Sequence, residues 1–499
     1  MKRCILTILA CFLSSSASAQ QIDLFICASG SWSDVSCWCQ ATTSGEGAHT
    51  GTQPDSAPPS CPSGLPEAGE DVVLGTLLGA VDFDMSASVG TMTVNGMGPD
   101  VAVFSQAAND LAATVETVEF YSQYTQTGGT NTVSTSSSTG ELDILGNYEL
   151  DQGGSITADI ETLAVLPNPP PGGGNSPGAF KQTGGTNTVT TLQMGTAYSF
   201  PAGGTYTLTG GNLSAHYEFI GANGNSGEFD QSGGTNKITS TGSGSASGQL
   251  MLGRDADSMG LYYLNSGNLS AGTEVVAQNG MGIIAQSGGQ NTVKKLIVGQ
   301  SSGGVGGHYQ LNQGTLKANG LVVGAAGVGT FIQTGGTAQV NGDLQVGQSS
   351  DGHGQYSLNG SGKLTVTGNE IVGPSEHSWF FQYLGTTNTV SQTLTIESEA
   401  SVPGVNGYYR RGGMLVANSI VNNGFFEYQG GVIIADVTNN NIFWVEELDG
   451  PAAGSVLIIE GNFTNYGSID CPNSIFGRPT MLRVSGTYSN HGQDNGCVE

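Results

Sequence analysis

The chain has 499 residues, only 11% of them charged, and 40 Asp and Glu against 13 Lys and Arg give a formal charge of −27. So acidic a chain lacks the basic surface needed to neutralise phosphates, which excludes nucleic acid as a partner and suits a well-solvated exported protein. The 80 glycines, with abundant Ser, Thr and Asn, resemble a disordered composition. Apolar residues nevertheless recur at fixed spacing, and a periodic apolar set builds a shared core.

Residues 1–19 read as a secretory leader: Lys2-Arg3, an apolar run from Ile5 to Leu13, then Ala17-Ser-Ala19, with cleavage expected after Ala19. Its removal leaves the chain two charges more acidic. No later apolar run is long enough to cross a bilayer, so no transmembrane span is expected in the mature chain. Residues 20–66 form a cap rich in Pro, Ser and Cys, in which Trp32 and Trp38 are expected to plug the end of the fold. Six cysteines survive cleavage: Cys27, Cys37, Cys39, Cys61, Cys471 and Cys497. In an oxidising compartment they should pair. Cys37 and Cys39 are too close to bridge each other comfortably, so each is expected to reach Cys27 or Cys61, and Cys471 to pair with Cys497. Their spacing fits no zinc module.

From residue 67 to 431 a ten-residue motif recurs in two alternating forms. One, Phe180-Lys-Gln-Thr-Gly-Gly-Thr-Asn-Thr-Val189, begins also at Tyr124, Phe229, Ile284 and Phe331, with a degraded copy near Phe381. The other, Tyr206-Thr-Leu-Thr-Gly-Gly-Asn-Leu-Ser-Ala215, begins also at Tyr148, Tyr262, Tyr309 and Tyr356, with a degraded copy near Tyr408. Neighbouring copies lie mostly roughly 23 to 27 residues apart, in the solenoid range. Alternating β-branched and aromatic runs bounded by Gly, Asn and Ser read as short strands and tight turns. The expectation is an all-β single-stranded parallel β-helix, about three short strands per coil, with disulfide-capped ends. Motif positions one, three, eight and ten share the inward face. That buries the amides of Gln126, Asn131, Gln182, Asn187, Gln231, Asn236, Gln286, Asn291 and Gln333, which must then find partners, expected in the backbone of the Gly-Gly corner. Leu166-Pro-Asn-Pro-Pro-Pro-Gly-Gly-Gly174 reads as a loop extruded between Tyr148 and Phe180. Residues 432–499 read as terminal coils and a C-terminal cap, with phrases such as Ile459-Glu-Gly-Asn-Phe-Thr-Asn-Tyr-Gly467.

The two alternating forms together resemble the repeats of secreted bacterial parallel β-helix proteins, related to autotransporter passenger domains and other exported β-solenoid surface proteins. The opening Gly30-Ser-Trp-Ser-Asp34 and Pro66-Glu-Ala-Gly-Glu-Asp-Val-Val-Leu74 resemble the entry to such a solenoid. The resemblance implies the fold across most of the mature chain, and adhesion, surface coating or occasionally hydrolysis. The terminal Asn495-Gly-Cys-Val-Glu499 has no amphipathic barrel strand or sorting motif, so release or anchoring by a partner is expected.

Catalysis is not expected. Arg254-Asp-Ala-Asp257 reads as a turn former, with loose calcium ligation the alternative, and no other cofactor is indicated. His308 and His353 read as solvated corner residues. Glu376 and His377, beside Trp379, form an unusual cluster, read as a bent coil with local packing or, alternatively, as a candidate binding patch. Arg410-Arg411 is expected to balance acids such as Glu397 and Glu399. No nucleophile elbow or Ser-His-Asp arrangement is evident. The expected function is a secreted or cell-surface, outer-membrane-associated rod, monomeric or weakly self-associating. Its repetitive polar face would bind glycans or other cell-surface and matrix components multivalently. A polysaccharide-active enzyme and a sheath or filament subunit are the alternatives. Three acids converging on adjacent coils of one face would favour the enzyme.

Overall fold

The computed structural model describes residues 20–27, 29–43, 64–76, 80–96, 101–134, 139–163, 178–195, 203–239, 248–303, 305–375, 377–398, 407–446, 456–471, 481–495 and 498. The leader, the proline-rich loop at 166–174, Cys61, Glu376 and Cys497 lie outside the described residues. Inward and outward residues alternate with a period of two, and glycine turns interrupt every run before a helical repeat could develop. The described residues accordingly form forty-six strands and one three-residue 3-10 turn, Val35–Cys37. They fall into two compact units, residues 1–192 with 204–213, and residues 193–203 with 214–499.

In the first unit, Gln20–Phe25 pairs antiparallel with Trp38–Thr43 and parallel with Asp71–Thr76. Beyond this cap the strands pair in parallel, each with its counterpart one coil further on. Ser122–Gln126, Asn147–Leu150, Ala179–Gln182 and Gly204–Leu208 form one ladder, in which Tyr124 is in register with Tyr148, Tyr148 with Phe180, and Phe180 with Tyr206. A second ladder carries Thr130–Val133 onto Ser155–Leu163, and a third carries Val115–Val118 onto Glu141–Ile144. Three strands per coil, all parallel to their neighbours, make a β-helix. The motif aromatics fill its interior, with ring centroids 4.4 Å apart for Tyr124–Tyr148, 5.0 Å for Tyr148–Phe180 and 4.6 Å for Phe180–Tyr206. Burying each such ring is worth about 1.5–3 kcal/mol, and each stacked pair adds about 0.5–1.5 kcal/mol.

The cap is dry. Trp32 and Trp38 are buried, their rings pack edge-on, and the Trp38 indole N–H donates to the Trp32 carbonyl at 2.8 Å. Cys27 and Cys37 are bridged, and Cys39 and Cys471 are also disulfide-bonded. Corner glycines are required where coils touch: Gly185 has φ +64°, and a Cβ there would sit 2.4 Å from the Gly154 carbonyl oxygen.

The second unit repeats the plan. Its aromatic ladder runs in register through Phe229, Tyr262, Ile284, Tyr309, Phe331, Tyr356, Phe380, Tyr408, Phe426 and Phe443. Two sequence readings are corrected here. The copy near Phe381 is not degraded. It starts at Phe380, which is fully buried, and one extra residue in its turn displaces the rest of the motif, so that Gln382 and Asn388 keep their inward positions. The copy at Tyr408 keeps its frame but carries Arg410 at the third, inward position. The coil continues past Gly431, with Ile433 and Phe443 both buried. Toward the C-terminus the third ladder carries side-chain amides in place of aliphatics. Asn422 donates to Asn439 at 2.7 Å, Asn439 to Asn465 at 2.8 Å, and Asn465 to Asn490 at 2.9 Å.

Candidate functional site

The buried amides belong to a polar layer that recurs through both units. Gln182 donates to the turn carbonyls of Gly185 and Asn212, and its own carbonyl accepts from the Tyr206 hydroxyl at 2.6 Å. Asn187 donates to that same tyrosine oxygen at 3.2 Å and to Glu161 Oε2 at 2.8 Å. The set Gln, Tyr, Asn, Glu repeats as Gln126, Tyr148, Asn131 and Glu116. It repeats as Gln231, Tyr262, Asn236 and Glu218, as Gln286, Tyr309, Asn291 and Glu274, and as Gln382, Tyr408, Asn388 and Glu370. All of these residues are buried. Burial pushes the carboxyls of Glu116, Glu161 and Glu274 up to about 7, and that of Glu370 to about 8, against smaller opposing hydrogen bonds from asparagine.

The five glutamates escaped sequence reading because each is an acid at an inward position, where apolar residues are expected. A signal was nonetheless present within the repeat. At the third-ladder position Glu alternates with aliphatic residues, with Glu116 in register with Met92 and Leu142, and Glu274 with Leu250 and Leu296. Glu116, Glu161, Glu218 and Glu274 each precede a motif with Asn at position eight, and Glu370 precedes the Phe380 copy, whose extra turn residue moves Asn388 to position nine. Phe331 begins the one undegraded copy with alanine there, Ala338, and the preceding third-ladder residue is Leu321. Gln333 still accepts from Tyr356, at 2.8 Å, and donates to the carbonyls of Gly336 and Lys363. The glutamate and the asparagine thus occur together and vanish together.

The exterior of the second unit carries a different cluster. Trp379 and Phe381 project outward from Ser378–Gln382, Tyr409 from Gly407–Arg410, Phe425 from Phe425–Tyr428, and Ile442 and Trp444 from Ile442–Val445. All are half-buried. Phe381 stacks on Tyr409 at 5.1 Å, and Tyr409 lies 5.6 Å from Phe425. His377 packs edge-on against Trp379 at 5.6 Å and stacks on His353 at 4.4 Å, so two members of the candidate patch are brought together and joined by a second histidine. An open depression beside them is lined by Ser302, Ser350, Asp351, His353 and His377. On the two preceding coils the equivalent outward residues are mainly polar, Thr330, Gln355 and Ser357. Polar groups flank the rings: Glu427 is in register between Tyr409 and Trp444, and the Arg411 guanidinium lies 5.6 Å over the Tyr383 ring.

The remaining candidates separate. Arg254 pairs with Asp255 at 2.9 Å and lies 4.5 Å over the Phe219 ring, while Asp255 accepts from the Asn223 N–H, which makes this a latched turn. Among the described residues no group of three His, Cys, Asp or Glu is arranged to hold a metal ion. The expectation for Arg410 is overturned. Its inward guanidinium donates to the carbonyls of Gly413, Gly430 and Val432 and lies over the Tyr428 ring, because an inward position at the corner offers carbonyls where the motif glutamine finds them. In the first unit Glu119, Glu141 and Asp143 converge on adjacent coils, and burial together with the charges of Glu141 and Glu119 raises the Asp143 carboxyl to about 7. No helix among the described residues is long and apolar enough to cross a membrane.

No family model matches this sequence, and no curated protein and no solved structure matches it either.

Proposed function

We propose that the chain is a secreted or cell-surface, non-catalytic β-solenoid of the passenger-domain kind, which binds glycans of cell surfaces or matrix. The observation that carries this reading is the outward aromatic cluster from Trp379 to Trp444, set among polar groups. Aromatic faces pack against the C–H faces of pyranose rings, while neighbouring carboxylates, amides and histidines hydrogen-bond to hydroxyls. Exposed hydroxyls such as Thr186, Thr188 and Thr190 in the first unit add weak contacts that multivalency sums. The leader sequence and the disulfide-bonded cysteines support export to an oxidising compartment. Retention on immobilised polysaccharides should fall at least about tenfold in a Trp379→Ala, Tyr409→Ala, Trp444→Ala variant that melts like the parent, a loss of about 1.4 kcal/mol or more. Unchanged retention would remove this surface from the account.

A second reading is supported by the raised Asp143 carboxyl beside Glu141 and Glu119, an arrangement of the type general acid catalysis uses. Release of new reducing ends from a bound polysaccharide, abolished by Asp143→Asn, would favour it.

A further inference from the structure

Three of the interior carboxyls pose a hydrogen-bonding problem that their own surroundings solve in one way. In the pairs Asn131–Glu116, Asn187–Glu161 and Asn291–Glu274, the asparagine Nδ2 donates to glutamate Oε2 at 2.9, 2.8 and 2.9 Å. That leaves the glutamate Oε1 and the asparagine Oδ1 of each pair, both buried, with no donor among the described residues. Two acceptors on one amide and one carboxyl, already joined through their other ends, lack a single proton between them. We propose that each of these glutamates is held as the neutral acid, its Oε1 hydroxyl donating to the asparagine Oδ1 while the asparagine Nδ2 donates back to Oε2. The proton satisfies both orphan oxygens at once and removes a charge from the interior.

The groups around the pairs are consistent with this. Glu116 is faced by Tyr124 and Tyr148, Glu161 by Tyr148, and Glu274 by Tyr262 and Tyr309. In their own ladder the neighbours include Met92, Leu142, Leu250 and Leu296. Among the described residues no cation acts on the three carboxyls, and burial is the dominant influence on each. The Asn388–Glu370 layer differs, since Asn388 Nδ2 reaches both carboxyl oxygens and Arg410 acts on the adjoining Tyr408. The layer with Leu321 and Ala338 shows that the coil tolerates removal of acid and amide together, as expected of a mutually satisfying pair.

The device makes the solenoid firm in acid and looser in alkali. Below the pH at which an unfolded glutamate ionises, both states hold the proton and the interior is complete. As the pH rises toward about 7 the unfolded chain releases its protons while the folded chain retains them, and stability falls. The test is infrared spectroscopy of protein carrying carbon-13-labelled glutamate. At about pH 6, where solvated carboxyls are ionised, the folded protein should show a protonated-carboxyl C=O band that fades above about pH 8 and loses intensity in Glu274→Gln. The same variant, which preserves both hydrogen bonds without a titrating proton, should melt higher than the parent at about pH 8.5 and equally at about pH 4. Absence of the band in the parent protein, or a Glu274→Gln shift of equal size at both pH values, would overturn the assignment. The infrared result decides it even if the variant fails to fold.

Discussion

In the second unit the Asn291–Glu274 layer and the Ala338–Leu321 layer occupy equivalent places, yet one is closed by a polar pair and the other by aliphatic contact. Both lie beneath a tyrosine whose hydroxyl donates to a motif glutamine, Tyr309 to Gln286 at 2.7 Å and Tyr356 to Gln333 at 2.8 Å. The tyrosine–glutamine bond is therefore the element common to both layers, because it ties each corner to the coil above. The acid–amide pair is an optional infill. Replacing a buried polar pair by well-packed apolar groups is often neutral, whereas removing one member strands the other.

Removing the common element should have the largest effect. Tyr309→Ala leaves a cavity under the Phe331 ring, which now stacks on it at 4.9 Å, and deprives Gln286 and Asn291 of a partner. It should destabilise by about 3–5 kcal/mol in urea unfolding. The next effect separates the two layers by pH. For Glu274 a rise of the folded pKa to about 7 corresponds to a stability loss on the order of 3 kcal/mol between acid and mildly alkaline pH. Melting followed from about pH 4 to 8.5 should fall steadily, and a Glu274→Leu, Asn291→Ala protein, made to copy the Leu321–Ala338 layer, should fall less. The smallest effect lies outside the core. Trp444 is half-buried, and Trp444→Ala should change stability by less than about 1 kcal/mol while weakening polysaccharide retention.

The coil architecture was legible because inward positions repeat at constant spacing and glycines mark the corners. Phe229 and Tyr262 could be placed on successive layers from the motif alone. The third ladder was harder to read, since a strand such as Val115-Glu-Thr-Val118 looks solvent-facing when a lone acid is taken as an outward residue. The copy read near Phe381 was misplaced because the extra turn residue puts Asn388 and Val390 in frame with Phe381, while only Gln382 keeps the frame of Phe380. Arg410 was read as balancing acids such as Glu397 and Glu399 because a guanidinium is seldom buried without a carboxylate. Its carbonyl partners come from Gly413, Gly430 and Val432, the last two on a later coil and so not adjacent in sequence. The outward rings are likewise scattered over more than sixty residues of chain, and only the parallel register gathers them.

The central claim is that asparagine and glutamate act as one unit inside the coil, and a double-mutant cycle on Asn291 and Glu274 tests it most directly. Asn291→Ala alone should destabilise by roughly 1–3 kcal/mol by stranding the acid, and adding Glu274→Leu should restore stability to within about 1.5 kcal/mol of the parent. Additive losses, with the double variant weaker than either single one, would contradict it.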